Sequence, residues 1–246
     1  MTNPDFRIFP SASATTDAVA AHLAARLAAQ PAIRLGLATG NTFVPVYAAL
    51  VEHYRAGGLS FAQACSFNLD EYVGLPPGHV ASFRAYMQSH LFDHVDLPEG
   101  HGHLPAVEGD IELACRNYEA AIAAAGGIDL QLLGIGRNGH IGFNEPGSAF
   151  DSRTRQVDLT PSTQEANKAD FPAGETVPPT AVTMGIGTIL EAREIVLVAI
   201  GATKAEALQT AFRGKQTPAC PASALQMHAK VLVFCDEAAA SLVRAD

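Results

Sequence analysis

The chain has 246 residues, of which 48% are hydrophobic and 17% are charged, and its formal net charge at pH 7 is -9. This hydrophobic fraction is typical of a protein that buries its own core, and it excludes wholesale disorder. No apolar run approaches the roughly 18–20 residues of a membrane-spanning helix. Lys and Arg are scattered singly and do not form a basic stripe. We therefore expect neither a membrane nor a nucleic acid as a partner.

The cysteines and the N-terminus indicate the cellular compartment. Four cysteines stand far apart, without the spacing of a zinc site, and we interpret them as reduced thiols. The first twenty residues lack a basic segment followed by an apolar one, so a secretory signal is not predicted. Both observations favour a cytoplasmic location. His101 and His103 alone are weak evidence for metal ligands, and no metal site is predicted.

Short apolar runs alternate with helical patterns along the chain, which is typical of an α/β fold with a largely parallel sheet. The helical spacing of apolar residues predicts helices over 17–29, 43–54, 83–91, 111–125, 204–212 and 237–243. Short apolar runs predict strands over 34–38, 65–69, 129–135, 194–200 and 230–235. Ser82 is the predicted N-cap of the helix that follows it.

The segment 148–179, called the lid segment below, differs from the rest of the chain. It is polar, contains four prolines and has no sustained periodicity. A segment of this length without helices or strands of its own is usually functional in a compact domain, so we interpret it as a lid. No repeat or linker divides the sequence, and a single domain over 1–246 is predicted.

Four polar clusters follow predicted strands, at 39–42, 70–71, 136–145 and 201–204. Ligands of an open parallel sheet bind beyond the carboxyl ends of the strands. We therefore expect these four clusters to converge in one active site.

Two of the clusters have features of a phosphate site. Gly40, Asn41 and Thr42 precede a predicted helix, where backbone N–H groups and the helix dipole attract anions. Ordinary helix capping is the alternative, since Asn and Thr are good N-caps. Lys204 begins another predicted helix, where the dipole disfavours a cation. This placement favours a second phosphate contact, with a solvated surface lysine as the alternative.

The other two clusters contain candidate acid–base groups. The glycine loop (134–145) is not a dinucleotide fingerprint, because no amphipathic helix follows it. Within this loop, His140 and Glu145 are interpreted as an imidazole and the carboxylate that orients it, with a solvated histidine as the alternative. Asp70 and Glu71 are adjacent, so only one of them can face the site if the chain is extended there.

Taken together, these clusters resemble the glucosamine-6-phosphate deaminase family over nearly the whole chain. The resemblance rests on Lys204 and on the strings LGLATGNT (35–42), FNLDEYVGL (67–75), LLGIGRNGHIGFNEPGS (132–148), SRTR (152–155) and AVTMGIGTIL (181–190). DEYVGL and NGHIGFNEPG are highly specific. The resemblance implies a modified Rossmann-like, three-layer α/β fold with a mostly parallel sheet. It also implies conversion of glucosamine 6-phosphate and water to fructose 6-phosphate and ammonia, without a metal or other cofactor.

The resemblance also implies roles for individual residues. Asp70 would move a proton between C2 and C1 of the substrate through an enolamine. His140 would open the sugar ring, oriented by Glu145 and Asn138. The substrate contacts implied for the phosphate are Gly40, Asn41, Thr42, Lys204 and Lys168, and those for the sugar ring are Gly136 and Gly142.

Three positions depart from the enterobacterial members of that family. They have an aspartate where this chain has Asn138, which can orient His140 but cannot stabilise an imidazolium by charge. Their lid arginine aligns with Ala169, so either Lys168 reaches the phosphate or Lys204 and backbone amides suffice. Of their basic allosteric residues, Arg155 is matched but a lysine aligns with Val157. We therefore expect little or no allosteric activation of that kind.

The sequence leaves two alternative functions open. 6-Phosphogluconolactonase has a similar phosphate loop and a histidine in a glycine loop, but resembles these strings less well. A non-catalytic sugar-phosphate sensor is disfavoured by the presence of Asp70, His140 and Glu145. The sequence leaves the oligomeric state open and is compatible with a homo-oligomer, and it does not decide between gluco and galacto substrates.

Overall fold

The structure, a computed structural model, describes residues 4–243. Residues 1–3 and 244–246, which belong to the predicted domain of 1–246, lie outside the described residues. The strands of the described chain are Asp5–Phe9 (β1), Arg34–Leu37 (β2), Cys65–Asn68 (β3), Asp70–Tyr72 (β4), Gly102–His103 (β5), Leu130–Gly134 (β6), Arg155–Asp158 (β7), Thr180–Thr183 (β8), Ile195–Ala199 (β9) and Val231–Asp236 (β10). Its α-helices are Ala12–Ala29 (α1), Val44–Arg55 (α2), Phe83–His90 (α3), Ile111–Ala124 (α4), Pro161–Asn167 (α5), Ile186–Leu190 (α6) and Ala205–Arg213 (α7).

Local sequence determines where several helices begin. Ser11, Ser82 and Asp110 precede α1, α3 and α4, and each accepts a hydrogen bond from the backbone N–H three residues further on. Each side chain thereby pairs one of the N–H groups that the first helical turn leaves without an acceptor. The predicted cap at Ser82 is confirmed.

A seven-stranded sheet with the order β1-β10-β9-β6-β2-β3-β5 forms the centre of the fold. All of its pairings are parallel in the described chain. Every residue of β9 is buried, as expected for a central parallel strand that is covered on both faces. The predicted α/β fold with a mostly parallel sheet is therefore confirmed.

The strand order brings the predicted clusters to one edge of this sheet. β2 and β9 both pair with β6, and β3 pairs with β2, so their carboxyl ends are neighbours. The turn 39–42 follows β2, Asp70 follows β3, the glycine loop follows β6, and Lys204 follows β9. Parallel topology is the physical reason, because it places the loops after successive strands on the same side.

A second, three-stranded antiparallel sheet has the order β4-β8-β7. Asp70 and Glu71 begin β4 and are not merely the end of the preceding strand. The lid segment contributes β7 and α5, followed by a short 3-10 helix, Lys168–Asp170. The prediction that this segment has no helices or strands of its own is thus wrong, because β7 is stabilised by pairing with β8 rather than by a periodic apolar pattern.

Other differences from the predicted elements have similar causes. β1 was not predicted because it is a sheet edge with polar residues among its apolar ones. The helix predicted over 237–243 is a short 3-10 helix, Ala239–Leu242, and α1 begins at Ala12 because Ser11 caps it. In the part of the chain that the structure describes, no helix has the length and apolar character needed to cross a bilayer.

Candidate active site

Asp70 and Glu71 occupy opposite sides of β4, and only one of them faces the candidate site. The carboxylate of Glu71 accepts hydrogen bonds from the backbone N–H groups of Tyr72, Phe83 and Arg84, each at 2.9 Å. Two of these donors belong to the first turn of α3. Glu71 therefore stabilises the start of α3. Of the two adjacent residues, Asp70 is the candidate for a catalytic carboxylate.

Asp70 is deeply buried and lies beside the glycine loop. Its residue is 6% exposed, and a Cβ placed on Gly142 would lie 3.3 Å from its Oδ2. Burial and, to a smaller extent, the charge of the neighbouring Glu71 raise the pKa of Asp70 to about 8. A carboxylate with this pKa binds and releases a proton near neutral pH, which is what a general base requires.

Gly142 allows the glycine loop to approach Asp70. Its φ of +55° lies in the left-handed region, and a Cβ there would lie 3.0 Å from Oγ1 of Thr183. The same Thr183 hydroxyl accepts a hydrogen bond from the backbone N–H of Phe143 at 3.1 Å and fixes the loop to β8. A larger residue at this position would be strained and would displace the loop.

His140 and Glu145 are adjacent, as the sequence predicts. Nδ1 of His140 lies 3.6 Å from Oε1 of Glu145. Burial raises the pKa of Glu145, but this is outweighed by the contact with His140 and by hydrogen bonds from Thr163 and Asn138, so the pKa is held at about 2. Glu145 therefore stays ionised at neutral pH and provides a fixed negative charge beside the imidazole.

Asn138 supports this pair by a route that differs from the predicted one. Its Nδ2 donates a hydrogen bond to Oε2 of Glu145 at 2.7 Å, and its Oδ1 accepts one from the backbone N–H of His140 at 3.2 Å. The amide thus contacts the carboxylate and the backbone of the loop, rather than the imidazole ring. The amide nitrogen and the amide oxygen of Asn138 both form hydrogen bonds, so the side chain is held in one orientation.

Gly136 makes room for the His140 ring. A Cβ at Gly136 would overlap the imidazole, so any larger residue would push the ring out of its position. Gly136 and Gly142 were expected to approach the sugar ring. In the structure the first is packed against His140, and the second against Thr183 and Asp70.

The turn at Gly40, Asn41 and Thr42 precedes α2 at the same sheet edge. Gly40 has a φ of +103°, and its carbonyl accepts hydrogen bonds from the N–H of Phe43 at 2.9 Å and from the Tyr86 hydroxyl at 2.8 Å. Among the described residues, the backbone N–H groups of Asn41 and Thr42 have no hydrogen-bond acceptor. They are therefore available to an anion at the positive end of the helix dipole.

Two lysines were predicted to contact phosphate, and their surroundings differ. Lys204 is partly buried at the end of a 3-10 helix, Ala202–Lys204, and its pKa is lowered by burial and by the charge of Arg137. Lys168 lies in the lid segment with a side chain that is 64% exposed, and its ammonium is 3.7 Å from Glu165. Of the two, Lys204 has the environment of a buried anion contact.

Two residues of the site were missed by sequence reasoning. Thr163, on α5 of the lid segment, donates a hydrogen bond from its hydroxyl to Oε1 of Glu145. Arg137 is in the loop after β6, and its charge contributes to the lowered pKa of Lys204. For Thr163 the sequence has no signal beyond Thr160, which caps α5 three residues earlier. Among residues 4–243, no group of three or more His, Cys, Asp or Glu side chains could hold a metal ion.

The fold and the candidate site together are those of an α/β enzyme, with groups suited to acid–base chemistry next to a turn whose backbone N–H groups are free in the described chain. Residues 10–234 match the family described as Glucosamine-6-phosphate isomerases/6-phosphogluconolactonase. The chain belongs to this family, and the resemblance found in the sequence is confirmed.

Similar proteins cover almost the full length of the chain. A glucosamine-6-phosphate deaminase of Rhodopirellula baltica is 53% identical over 240 residues, covering 97% of this chain and 96% of the relative. A glucosamine-6-phosphate deaminase of Geobacillus sp. (strain WCH70) is 48% identical over 220 residues, covering 89% of this chain and 88% of the relative.

Solved structures resemble the chain at two levels. A monomeric glucosamine-6-phosphate deaminase superposes with a TM-score of 0.93 at 40% identity, covering 97% of this chain and 99% of that one. A 6-phosphogluconolactonase from Trypanosoma brucei superposes with a TM-score of 0.79 at 18% identity, covering 99% of this chain and 100% of that one. The second likeness concerns the fold alone.

Proposed function

We propose that this protein converts glucosamine 6-phosphate and water to fructose 6-phosphate and ammonia. The observation that carries the proposal is the placement of the buried Asp70 carboxylate against the glycine loop that bears His140 and Glu145. Relatives that are about half identical to this chain are glucosamine-6-phosphate deaminases, which supports the same reaction. The partner is then a small amino-sugar phosphate.

Substrate binding begins at the phosphate. The free N–H groups of Asn41 and Thr42, together with the Lys204 ammonium, bind a phosphate at the carboxyl edge of the sheet. Because this group lies at the far end of the sugar from the reacting carbons, its binding energy positions C1 and C2 without taking part in the chemistry.

Ring opening is the task of His140. The imidazole removes a proton from the anomeric hydroxyl and delivers one to the ring oxygen, which yields the open-chain aldehyde. Glu145 remains ionised, so it orients the ring and stabilises the imidazolium that forms during the transfer. Asn138 and Thr163 hold Glu145 for this purpose.

Asp70 then moves a proton between adjacent carbons. Its carboxylate removes the proton from C2 while O1 takes a proton from the substrate's ammonium group, which forms an enolamine. The protonated Asp70 then returns its proton to C1, which forms a protonated imine at C2. Water adds to the imine carbon, and the resulting carbinolamine releases ammonia and leaves the ketone of fructose 6-phosphate. One carboxylate can reach both carbons, because they are neighbours.

The two alternatives have less support. The 6-phosphogluconolactonase from Trypanosoma brucei is 18% identical in sequence to this chain, whereas the Rhodopirellula baltica deaminase is 53% identical. A sensor without catalysis would have no use for a buried carboxylate with a pKa near 8.

We also propose that the protein acts in amino-sugar catabolism in the cytoplasm. In this proposal residues 1–246 form a single domain, and the lid segment closes over the active site.

The deciding experiment measures ammonia and fructose 6-phosphate together. The purified protein is incubated with glucosamine 6-phosphate, ammonia is assayed directly, and fructose 6-phosphate is followed by a coupled enzyme. We expect both products in equal amounts. A chain that releases no ammonia at saturating substrate does not have the proposed function.

A further inference from the structure

The substrate phosphate carries more negative charge than the cation assigned to it can balance. A phosphate monoester has a charge of about -1.5 to -2 at pH 7, whereas Lys204 supplies a single positive charge. The protein as a whole has a formal net charge of -9, so its overall field does not attract an anion. A second cation close to Lys204 would correct this imbalance.

Arg137 occupies the required place in the fold. β6 and β9 are paired in parallel, with Gly134 opposite Val198, so the loops that follow them lie side by side at the carboxyl edge. Arg137 is in the loop after β6, in a tight turn closed by a hydrogen bond from the N–H of Gly139 to the carbonyl of Gly136 at 3.0 Å. Lys204 is in the loop after β9.

The loops that carry Arg137 and Lys204 follow paired strands, and neither side chain has an acidic partner among the described residues. The positive charge of Arg137 is near enough to contribute to the lowered pKa of Lys204. Among the described residues, neither side chain forms an ion pair or a hydrogen bond, although Arg34, Arg153 and Arg193 all do so with carboxylates. Two like charges held together without a counter-ion repel each other, and an anion bound between them removes that cost.

We propose that Arg137 is the second cationic ligand of the substrate phosphate, acting with Lys204 and the N–H groups of the Gly40–Thr42 turn. This inference rests on the proposed function and extends it by one binding residue. Arg137 is also only three residues before His140, so one loop would carry both the phosphate contact and the ring-opening imidazole. A guanidinium suits this position, since its N–H groups can pair with two phosphate oxygens at once.

Lys168 is the competing candidate for the same charge. Its ammonium is 3.7 Å from Glu165 in a largely exposed part of the lid segment, so a carboxylate already accompanies it. Arg137 has no such companion. The contributions of Arg137 and Lys168 to phosphate binding can therefore be measured separately, by removing one charge at a time.

The test compares steady-state kinetics of Arg137→Gln, Arg137→Lys and Lys168→Gln with those of the unaltered protein. We expect Arg137→Gln to raise KM for glucosamine 6-phosphate about tenfold or more, with kcat changed by less than about threefold, as for loss of a hydrogen bond to a charged group. Arg137→Lys should recover part of the loss. Arg55→Gln is the matched control, because this exposed residue near the C-terminal end of α2 carries the same charge and, among residues 4–243, pairs only with Glu52.

Inorganic phosphate provides a readout that is specific for the anion site. As a competitive inhibitor, it should have a Ki that rises in Arg137→Gln by about the same factor as KM, while the melting temperature stays the same or increases. An unchanged KM and Ki in Arg137→Gln, or an increase confined to Lys168→Gln, would overturn the inference. Absence of ammonia from the unaltered protein would instead overturn the proposed function, so the two failures are distinguishable.

Discussion

Asp70 at the start of β4 and Glu145 in the glycine loop are both carboxylates removed from solvent at the same sheet edge, yet their pKa values are shifted in opposite directions. For Asp70 burial dominates, Glu71 adds to it, and the pKa rises to about 8. For Glu145 the contact with His140 and the hydrogen bonds from Thr163 and Asn138 outweigh burial, and the pKa falls to about 2. Burial raises the pKa of both groups, and only Glu145 has the neighbouring imidazole and the hydrogen-bond donors that reverse the direction of the shift.

This difference assigns separate tasks to the two groups. A group that is half protonated near pH 8 can accept and return a proton, which suits the transfer between C2 and C1. A group that stays ionised at every physiological pH provides a constant charge, which suits the orientation of His140. The following predictions, from the largest expected effect to the smallest, test whether the two carboxylates really differ in this way.

The largest effect is expected for Asp70→Asn. The amide has nearly the same shape but cannot accept a proton, so turnover should fall by about a thousandfold or more. Binding of inorganic phosphate should remain, because the anion site lies on other loops. Steady-state kinetics and phosphate binding by calorimetry check this. Retention of more than a tenth of the activity would remove Asp70 from the role of base.

A smaller loss is expected for Glu145→Gln. This change keeps the hydrogen-bonding shape but removes the charge that stabilises the imidazolium, so kcat should fall by about a hundredfold. KM should change little, since Glu145 does not face the anion site. If kcat were unaffected, the ionised state of Glu145 would have no part in the mechanism.

The pH profile should report Asp70 and not Glu145. Because the base must be ionised, kcat/KM should rise about tenfold per pH unit below a pKa near 8 and level off above it. Glu145 should contribute no inflection above about pH 4, since its pKa is about 2. A profile that is flat from pH 6 to about pH 9 would contradict the raised pKa of Asp70.

A modest loss is expected for Thr163→Val. This variant removes the hydroxyl that donates to Oε1 of Glu145 but keeps the volume of the side chain. Loss of one such hydrogen bond, with Asn138 still in place, should lower kcat by about threefold to tenfold. The conservative variant Thr163→Ser, which retains the hydroxyl, should recover most of it. Equal activities for the two variants would show that the lid segment does not position Glu145.

The last predicted effect concerns stability rather than turnover, and it depends on pH. The pKa of Asp70 is raised in the folded state to about 8 from about 3.9 in an unfolded chain, so folding is weakened as pH rises through this interval. Asp70→Asn should therefore increase the melting temperature more at about pH 8.5 than at about pH 4, by roughly 2–4 °C for each kcal/mol of relieved burial cost. An increase of the same size at both pH values would argue against an ionised, buried Asp70.

The sequence by itself determined the class of fold and the family, and it predicted most residues of the candidate site. The alternation of apolar runs and helical patterns was enough for a parallel α/β sheet, because those periods follow directly from burial on one face or on both. The order of the strands in the sheet could not be predicted from the apolar runs or from the helical patterns. Yet the clusters after β2, β3, β6 and β9 could be expected to meet, since parallel strands end on one side.

Only the tertiary structure decided which groups touch. The sequence could not choose between Asp70 and Glu71, because that choice depends on the N–H groups of α3, which lie twelve and thirteen residues further along the chain. It could not place the Thr163 hydroxyl on Glu145, or bring the charge of Arg137 near enough to affect Lys204, since each pair belongs to separate elements of the fold. Local propensity acts over a few residues, whereas the pKa of a buried carboxylate is set by whatever the fold packs against it.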